Sequence, residues 1–244
     1  NANNFVLGNS ASNYLSFTTN ASEAMRIDSS GNISIANTIP SSFNSQARNL
    51  VVGSGSGDAG MTIYSGSGSG DSGNIFFADG TSGDDPTRGG ITYKHDDNSM
   101  LFRINDSNRL TIDSSGKVGI GETSPLGNLH VKSADSGASA HASADEVVIE
   151  GSANSGINIL SGNNSEGAIY FGDDGDNNIG SITYTHNNNN LHFDVNASRR
   201  MTIDSSGNLF VAKTSSDYGT AGHELHAGGL ATHSRNANPT LLLN

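Results

Sequence analysis

One five-residue phrase, Ile-Asp-Ser-Ser-Gly, occurs three times in this chain, at residues 27–31, 112–116 and 203–207. The copies are separated by 85 and then by 91 residues. Apolar positions match before and after the phrase: Leu15, Met100 and Leu191; Phe17, Phe102 and Phe193; Met25, Leu110 and Met201; Ile33, Val118 and Leu209; Ile35, Ile120 and Val211. Self-similarity at a long, nearly constant period is typical of repeat architectures. The fold therefore has to be explained one repeat at a time.

The segment before the phrase also recurs. Ile75-Phe76-Phe77 matches Ile169-Tyr170-Phe171, the segment 91–95 matches 182–186, and Leu225-His226 resembles Leu129-His130. The offset between copies drifts, and the extra residues fall in Gly-, Asp- and Asn-rich stretches, where insertions cost least. We predict the end of a first unit at 1–38, a second unit at 39–125, a third at 126–216 and the truncated start of a fourth at 217–244.

Within each unit the apolar residues alternate with polar ones. Phe193 and Val195 are predicted on one face of a strand, and His192 and Asp194 on the other. A period of two over runs of about 4–6 residues indicates short β-strands. Residues 28–32 are predicted to form a hairpin turn with Gly31 in a left-handed conformation. Residues 139–149 are expected to form one helical turn at most, so the predicted fold class is all-β.

The composition predicts that other chains complete the core. Hydrophobic residues make up 33% of the chain, and it has 31 Gly and no Trp. Three chains around one axis, each contributing a narrow apolar stripe, would bury what a single chain exposes. We therefore expect an elongated homotrimeric fibre of short strands in repeated units with an interchain core. A monomeric parallel β-solenoid is the structural alternative, although its coils are usually about 20–30 residues long.

Charge and apolar content exclude several partners. The net charge is −12 with scattered basic residues, which argues against nucleic acid, where a positive footprint is expected. No apolar stretch approaches the roughly 20 residues that span a bilayer, so no membrane insertion is expected. The chain has no Cys and therefore neither disulfides nor thiolate chemistry.

Two strings carry a family resemblance: residues 25–33 (MRIDSSGNI) and residues 110–125 (LTIDSSGKVGIGETSP), the latter followed by Leu129-His130-Val131. They resemble a recurrent phrase of bacteriophage tail-fibre shafts, including those of marine phages and cyanophages. The resemblance implies a β-rich, trimeric structural protein of the virion, located extracellularly in the tail fibre. Its expected role is to present a receptor-binding tip for host attachment. Its implied partners are two further copies, other tail or virion proteins, and a host receptor or polysaccharide.

The resemblance leaves two alternatives open. One is a bacterial trimeric surface adhesin of similar build. The other is a polysaccharide-depolymerase tailspike, whose catalysis requires two carboxylates about 5–10 Å apart in a groove. Asp84-Asp85, Asp96-Asp97 and Asp173-Asp174 are the candidate pairs, but Asp96-Asp97 becomes Asn187-Asn188 in the next repeat. Solvated turn residues explain them more simply, and we predict that the chain is not an enzyme.

The remaining candidate sites also have simple structural explanations. The loop at 172–178 and its looser counterpart at 79–85 offer Ca²⁺ ligands but lack the distal Glu of an EF-hand. His223-Glu224-Leu225-His226 is not the zinc-protease signature, although a His repeated around a threefold axis, as at 95, 130, 186 or 226, would place three imidazoles together. The glycine-rich segments 53–57 and 67–70 lack the Lys of a phosphate loop, and the Asn-x-Ser sites at Asn20, Asn105 and Asn196 are interpreted as turns rather than glycosylation sites. The sequence therefore predicts no catalytic, metal or cofactor site.

Overall fold

A computed structural model describes residues 14–217, 219–235 and 238–239 of the chain. The chain divides into two compact units, one ending at Ser155 and the other beginning at Gly156. Secondary structure in the described residues consists of strands and two single-turn 3-10 helices, Pro40–Ser42 and Asp85–Thr87, which confirms the all-β class. The bounds of the four predicted repeat units rest on internal sequence similarity, and they remain predictions.

The first unit contains eleven of the strands. They are β1 (Tyr14–Thr19), β2 (Ser22–Asp28), β3 (Ile33–Ile35), β4 (Leu50–Val52), β5 (Ser72–Phe77), β6 (Gly89–Lys94), β7 (Ser99–Ile104), β8 (Ser107–Ile112), β9 (Val118–Ile120), β10 (Leu129–Lys132) and β11 (Val147–Glu150). The second unit contains β12 (Glu166–Phe171), β13 (Gly180–Thr185), β14 (Asn190–Val195), β15 (Ser198–Ile203), β16 (Leu209–Val211), β17 (Gly222–Leu225), β18 (Ala231–Arg235) and β19 (Asn238–Pro239).

Within each sheet, every strand pairs with the strands that precede and follow it in the chain. The result is a four-stranded sheet (β1–β4) and a seven-stranded sheet (β5–β11) in the first unit, and an eight-stranded sheet (β12–β19) in the second. The pairs β3–β4, β9–β10 and β10–β11 are parallel, and the others are antiparallel. Sequential pairing with short connections is the commonest topology for strands that are close in sequence.

The repeated phrase forms the same hairpin turn in all three copies. Its aspartate, at 28, 113 and 204, accepts backbone hydrogen bonds at 2.8–2.9 Å from the residues two and four positions later. Its glycine has φ +83° each time, the left-handed conformation that a side chain disfavours. The turn predicted from the sequence is therefore confirmed, and it explains why Asp and Gly are the constant residues.

A second turn begins at each Asn-x-Ser site. Asn20-Ala21, Asn105-Asp106 and Asn196-Ala197 all have positive φ at both residues, as expected for a two-residue hairpin turn whose twist matches that of the strands. A register shift follows Phe17, Phe102 and Phe193 in the strand that precedes each turn. The interpretation of these Asn residues as turn formers is confirmed.

The third copy departs from the others after the phrase. Leu129 lies beside Val118 in a parallel pair, whereas Leu225 lies beside Leu209, the repeat counterpart of Val118, in an antiparallel pair. The sequence differs at the same point, since Gly119 and Gly121 are replaced by Phe210 and Ala212 and Pro125 is lost. Leu225-His226 therefore resembles Leu129-His130 in sequence but runs in the opposite direction along the sheet.

We predict that Gly116→Ala destabilises the protein, with a free-energy cost of about 1–2 kcal/mol, because a Cβ is disfavoured at φ +83° although nothing lies within 4 Å of its position. Gly60→Ala is the matched control, because its Cβ also meets nothing within 4 Å and its φ lies outside the left-handed range. Urea denaturation followed by circular dichroism measures both variants. Equal midpoints for the two would contradict the turn assignment.

Candidate functional site

The apolar residues of each sheet form two rows that cross its strands. In the seven-stranded sheet the register places one row along Ile75, Ile91, Phe102, Leu110, Ile120, Val131 and Ile149, and the other along Tyr93, Met100, Ile112, Val118, Leu129 and Val147. We call these the outer row and the inner row. Because side chains alternate between the faces of a strand, both rows lie on one face, which we call the apolar face.

The other two sheets repeat this arrangement. The corresponding outer row comprises Phe17, Met25, Ile35 and Val52 in the four-stranded sheet, and Ile169, Ile182, Phe193, Met201 and Val211 in the eight-stranded sheet. The inner row continues as Leu15, Ile27, Ile33 and Leu50, and as Tyr184, Leu191, Ile203, Leu209 and Leu225. The repeats seen in sequence therefore build one recurring surface.

No second layer of strands covers the apolar face in the part of the chain that the structure describes. Outside the strands, Ile157 and Ile159 line a cavity with Ile169, Ile182, Tyr184 and Leu191 of this face in the second unit. Substantial contacts between strands are all made with neighbours in the same sheet. Phe102, Ile120, Ile169 and Val211 are 37–47% exposed, and Ile104 at the rim is 64% exposed. Burying one such side chain fully contributes roughly 1.5–3 kcal/mol, so this face represents a large unrealised stabilisation.

The most deeply buried side chains lie on the opposite, polar face. Thr183, His192 and Thr202 are at most 3% exposed, and Phe210 is the one buried hydrophobic side chain among the described residues. His192 contacts Thr202 at 3.1 Å through Nδ1, and its burial lowers the pKa of the imidazole. The chain thus satisfies its polar face internally and leaves its apolar face open, which is the reverse of an ordinary globular domain.

Glu150 is the centre of a buried polar cluster in the first unit. Its carboxylate accepts hydrogen bonds from the backbone N–H and the hydroxyl of Ser136 at 2.7 and 2.9 Å, and it lies 2.9 Å from Nε2 of His130. Nζ of Lys132 lies 3.5 Å from Glu150 and 2.6 Å from Glu122. The bonds from Ser136, with the charge on Lys132, lower the pKa of Glu150 to about 2.

Glu224 is the centre of a corresponding cluster in the second unit. Its carboxylate contacts Nζ of Lys213, the hydroxyl of Ser216 at 2.9 Å and Nε2 of His226 at 2.9 Å. Both Lys213 and Glu224 are buried. Burial raises the pKa of Glu224, but the bonds from Lys213, the backbone of Asp217 and Ser216 outweigh this effect and hold the pKa at about 2.

The two clusters contain an ion pair at the same place, with the positions of the acidic and the basic partner exchanged. Glu122 and Lys213 follow the same repeat strand, and each forms an ion pair with a residue of the next strand, Lys132 or Glu224. Asn37 stands at the corresponding place in the first copy, and its amide donates to the carbonyl of Gly53 at 3.2 Å. All three copies therefore have a polar contact, which we call the polar clamp, that joins the residue two positions after one strand to the next strand or its end. The side chains that form this contact differ from copy to copy.

Glu122, His130 and Glu150 bring their ligand atoms within 4.8 Å of one another, which raises the question of a metal. The backbone N–H of Leu126 points at Nδ1 of His130 at 3.3 Å, so Nδ1 is the acceptor and Nε2 carries the proton of the neutral ring. Nε2 therefore has no free lone pair for an ion in this tautomer, and Lys132 pairs with both carboxylates and offsets one of their two charges. Nε2 of His130 and Oε2 of Glu150 lie 2.9 Å apart but are buried without a hydrogen bond, so the three residues form an ion-pair cluster that is not fully satisfied.

The carboxylate pairs singled out for catalysis lie in loops. Asp85 pairs with Arg88 at 2.6 Å, and Asp97 pairs with Lys94 at 2.6 Å. Asp97 lines an open groove of about 950 Å³ on the polar face of the seven-stranded sheet, but the bond from Lys94 lowers its pKa. A glycosidase general acid needs a raised pKa, and neither Asp97 nor Asp173, whose pKa is also lowered, has one.

The loop considered for Ca²⁺ uses its oxygens to hold its own turns. One carboxylate oxygen of Asp173 accepts from the backbone N–H groups of Gly175 and Asp176, both at 2.9 Å, and Asp176 accepts from Asn178 at 3.0 Å. In the counterpart loop, Asp79 and Asp85 both contact Arg88. Both loops therefore match the turn interpretation of their acidic residues.

The histidines that share repeat positions fall into two groups. His95 and His186 make the same edge-to-face contact with the Tyr two residues earlier, with ring centroids 5.0 Å apart in both cases. His130 and His226 both contact a buried glutamate, although their strands run in opposite directions. The sequence did not predict the roles of Glu150 and Glu224. The partners of Glu150 are distant from it in sequence, and Ser216, a partner of Glu224, lies in a connection that differs between the repeats.

Comparison with known protein families and with curated proteins found no match to this chain. Among the described residues, no helix has the length and apolar character needed to cross a membrane.

We predict that Lys213→Met lowers the free energy of unfolding by about 3 kcal/mol, because it leaves Glu224 charged and buried without its cation. Lys94→Met is the control, because Lys94 and Asp97 are half-exposed and such a pair contributes at most about 1 kcal/mol. Chemical denaturation of the two variants measures the difference. A loss at Lys213 no greater than that at Lys94 would show that the buried pair does not stabilise the fold.

We predict that stability falls between pH 4.5 and pH 2. The pKa of Glu150 and of Glu224 is about 2 in the folded protein, against an ordinary value of 4.5, so the unfolded chain binds more protons in this interval. The stabilisation is complete above pH 4.5 and is lost as the pH approaches 2. A Glu150→Gln/Glu224→Gln variant should have a lower melting temperature at pH 7 and a shallower decline below pH 4.5, and parallel curves for variant and parent would refute the assignment.

Proposed function

We propose that this chain is a segment of a homotrimeric fibre shaft, the structural part of a bacteriophage tail fibre that presents a receptor-binding tip to the host. The observation that carries the proposal is the exposed apolar face, repeated on three sheets with two rows each. A single-layer sheet needs a covering layer to be stable. Two further copies of the chain supply that layer, because their own apolar faces can pack against this one.

The width of the face supports closure by three copies. Two rows on one side of a strand are about 7 Å apart, since residues two positions apart share a face. Three such narrow stripes meet around an axis and fill the space between them, and each repeat contributes its own segment of this interchain core. The resemblance of residues 25–33 and 110–125 to tail-fibre shafts also supports an assembly of three chains.

The charge and the polar face fit this role. A net charge of −12 and turns rich in Asp, Asn and Gly keep an extracellular particle soluble. In the proposed virion the chain joins other tail proteins and holds the binding tip away from the particle. Its role is mechanical, and a core shared between chains makes unfolding slow, so its resistance is largely kinetic.

The experiment is light scattering on the protein and on two variants in the seven-stranded sheet, before and after mild heating. The parent should have three times the mass of one chain and keep it on heating. Phe102→Asp places a charge in the outer row of the apolar face, and we expect it to give monomers or misassembled material, because three buried carboxylates would meet near the axis.

Asn108→Asp is the matched control, since it adds the same charge at an exposed position in the groove of the polar face. This variant should remain trimeric. A folded monomeric parent would overturn the proposed function. A stable dimer would retain the covered apolar face but exclude the threefold shaft.

A further inference from the structure

The outer row of the eight-stranded sheet ends in two histidines. After Met201 and Val211 the register continues to His223 on β17 and His233 on β18, which face each other across the antiparallel pair. In the seven-stranded sheet the same row ends in Val131 and Ile149. An aliphatic cross-strand pair in one repeat is thus replaced by a pair of imidazoles in the other.

The two imidazoles direct nitrogen atoms at each other. Their Nδ1 atoms are in contact, the ring centroids lie 4.4 Å apart, and the ring planes cross at 81°. His223 is exposed and His233 is half-buried, so solvent reaches the pair. Two nitrogens in contact repel unless exactly one carries a proton or a cation binds both lone pairs.

We propose that His223 and His233 form a binding site for a divalent transition-metal ion of the zinc, nickel or copper class. Neutral imidazole is a ligand suited to these ions, whereas Ca²⁺ and Mg²⁺ select oxygen. Both ligands come from neighbouring strands, which fix their separation before an ion arrives and reduce the ordering cost of binding. Water supplies the remaining positions, as in open metal sites.

Both ligands belong to one chain, so the site needs no residue of another copy, although the row that contains it faces the proposed interchain core. It also differs from the cluster at Glu150, because no backbone N–H among the described residues donates a hydrogen bond to His223 or His233.

The test is isothermal titration of the protein with ZnCl₂ at pH 7.5, repeated with NiCl₂ and with CaCl₂. We expect one Zn²⁺ per chain, binding of Ni²⁺ at the same stoichiometry, and no heat with CaCl₂. His223→Val and His233→Ile install the aliphatic residues of the seven-stranded sheet, which preserves the fold. Each should weaken Zn²⁺ binding by at least about tenfold, because loss of even an outer-shell partner costs about 10–100-fold.

His141→Ala is the control, because His141 is exposed and its Nδ1 accepts a hydrogen bond from the backbone of Ser143, so it contributes a single imidazole in a turn. This variant should bind Zn²⁺ as the parent does. The proposed metal site is refuted if the parent does not bind Zn²⁺. It is also refuted if the His223→Val/His233→Ile double variant still binds Zn²⁺. Neither result bears on the mass of the assembly, so the two proposals fail independently.

Discussion

The structure depends on a single constraint: among the described residues, each sheet has one apolar face and no second layer of strands to bury it. The outer row crosses four strands in the first sheet, seven in the second and five in the third before it reaches His223 and His233, and outer-row residues such as Phe102 and Ile169 remain more than one-third exposed. A sheet in this condition is stable only against a partner surface. The low hydrophobic content fits the proposed assembly, since a chain that shared its core with other copies would need few large apolar residues of its own.

The polar face is stabilised by different means. Hydroxyl and imidazole groups are buried there with partners, and Glu150 and Glu224 connect the end of one strand to the connection beside it. Buried charged groups are costly unless they are paired. Both carboxylates have a lysine partner, although Oε2 of Glu150 makes no hydrogen bond. The exchange of Glu122 and Lys132 for Lys213 and Glu224 between repeats indicates that the clamp itself is required, and not a particular arrangement of its charges.

The sequence predicted those features that depend on nearby residues. The turn at Asp28–Gly31, the two-residue turns at Asn20, Asn105 and Asn196 and the alternation in β14 all follow from local propensity and a period of two. It did not predict the antiparallel direction of β17, since a short apolar strand such as Leu225 and its neighbours fits either direction. It also did not predict the cluster at Glu150, whose partners Ser136, Lys132 and Glu122 are 14, 18 and 28 residues away. Nor did it pair His223 with His233, because that contact exists only in the register of two strands.

The most direct measurement of the central claim is the accessibility of the apolar face in solution. The chain has no cysteine, so a single thiol can report on each face. Ile104→Cys places it on the rim of the apolar face, and Asn108→Cys places it on the polar face of the same sheet. The account predicts that a maleimide reagent modifies the thiol at 108 at the rate of a free thiol and the thiol at 104 only after denaturation. Equal rates at the two positions in the native protein would show that nothing covers the apolar face and would contradict the account.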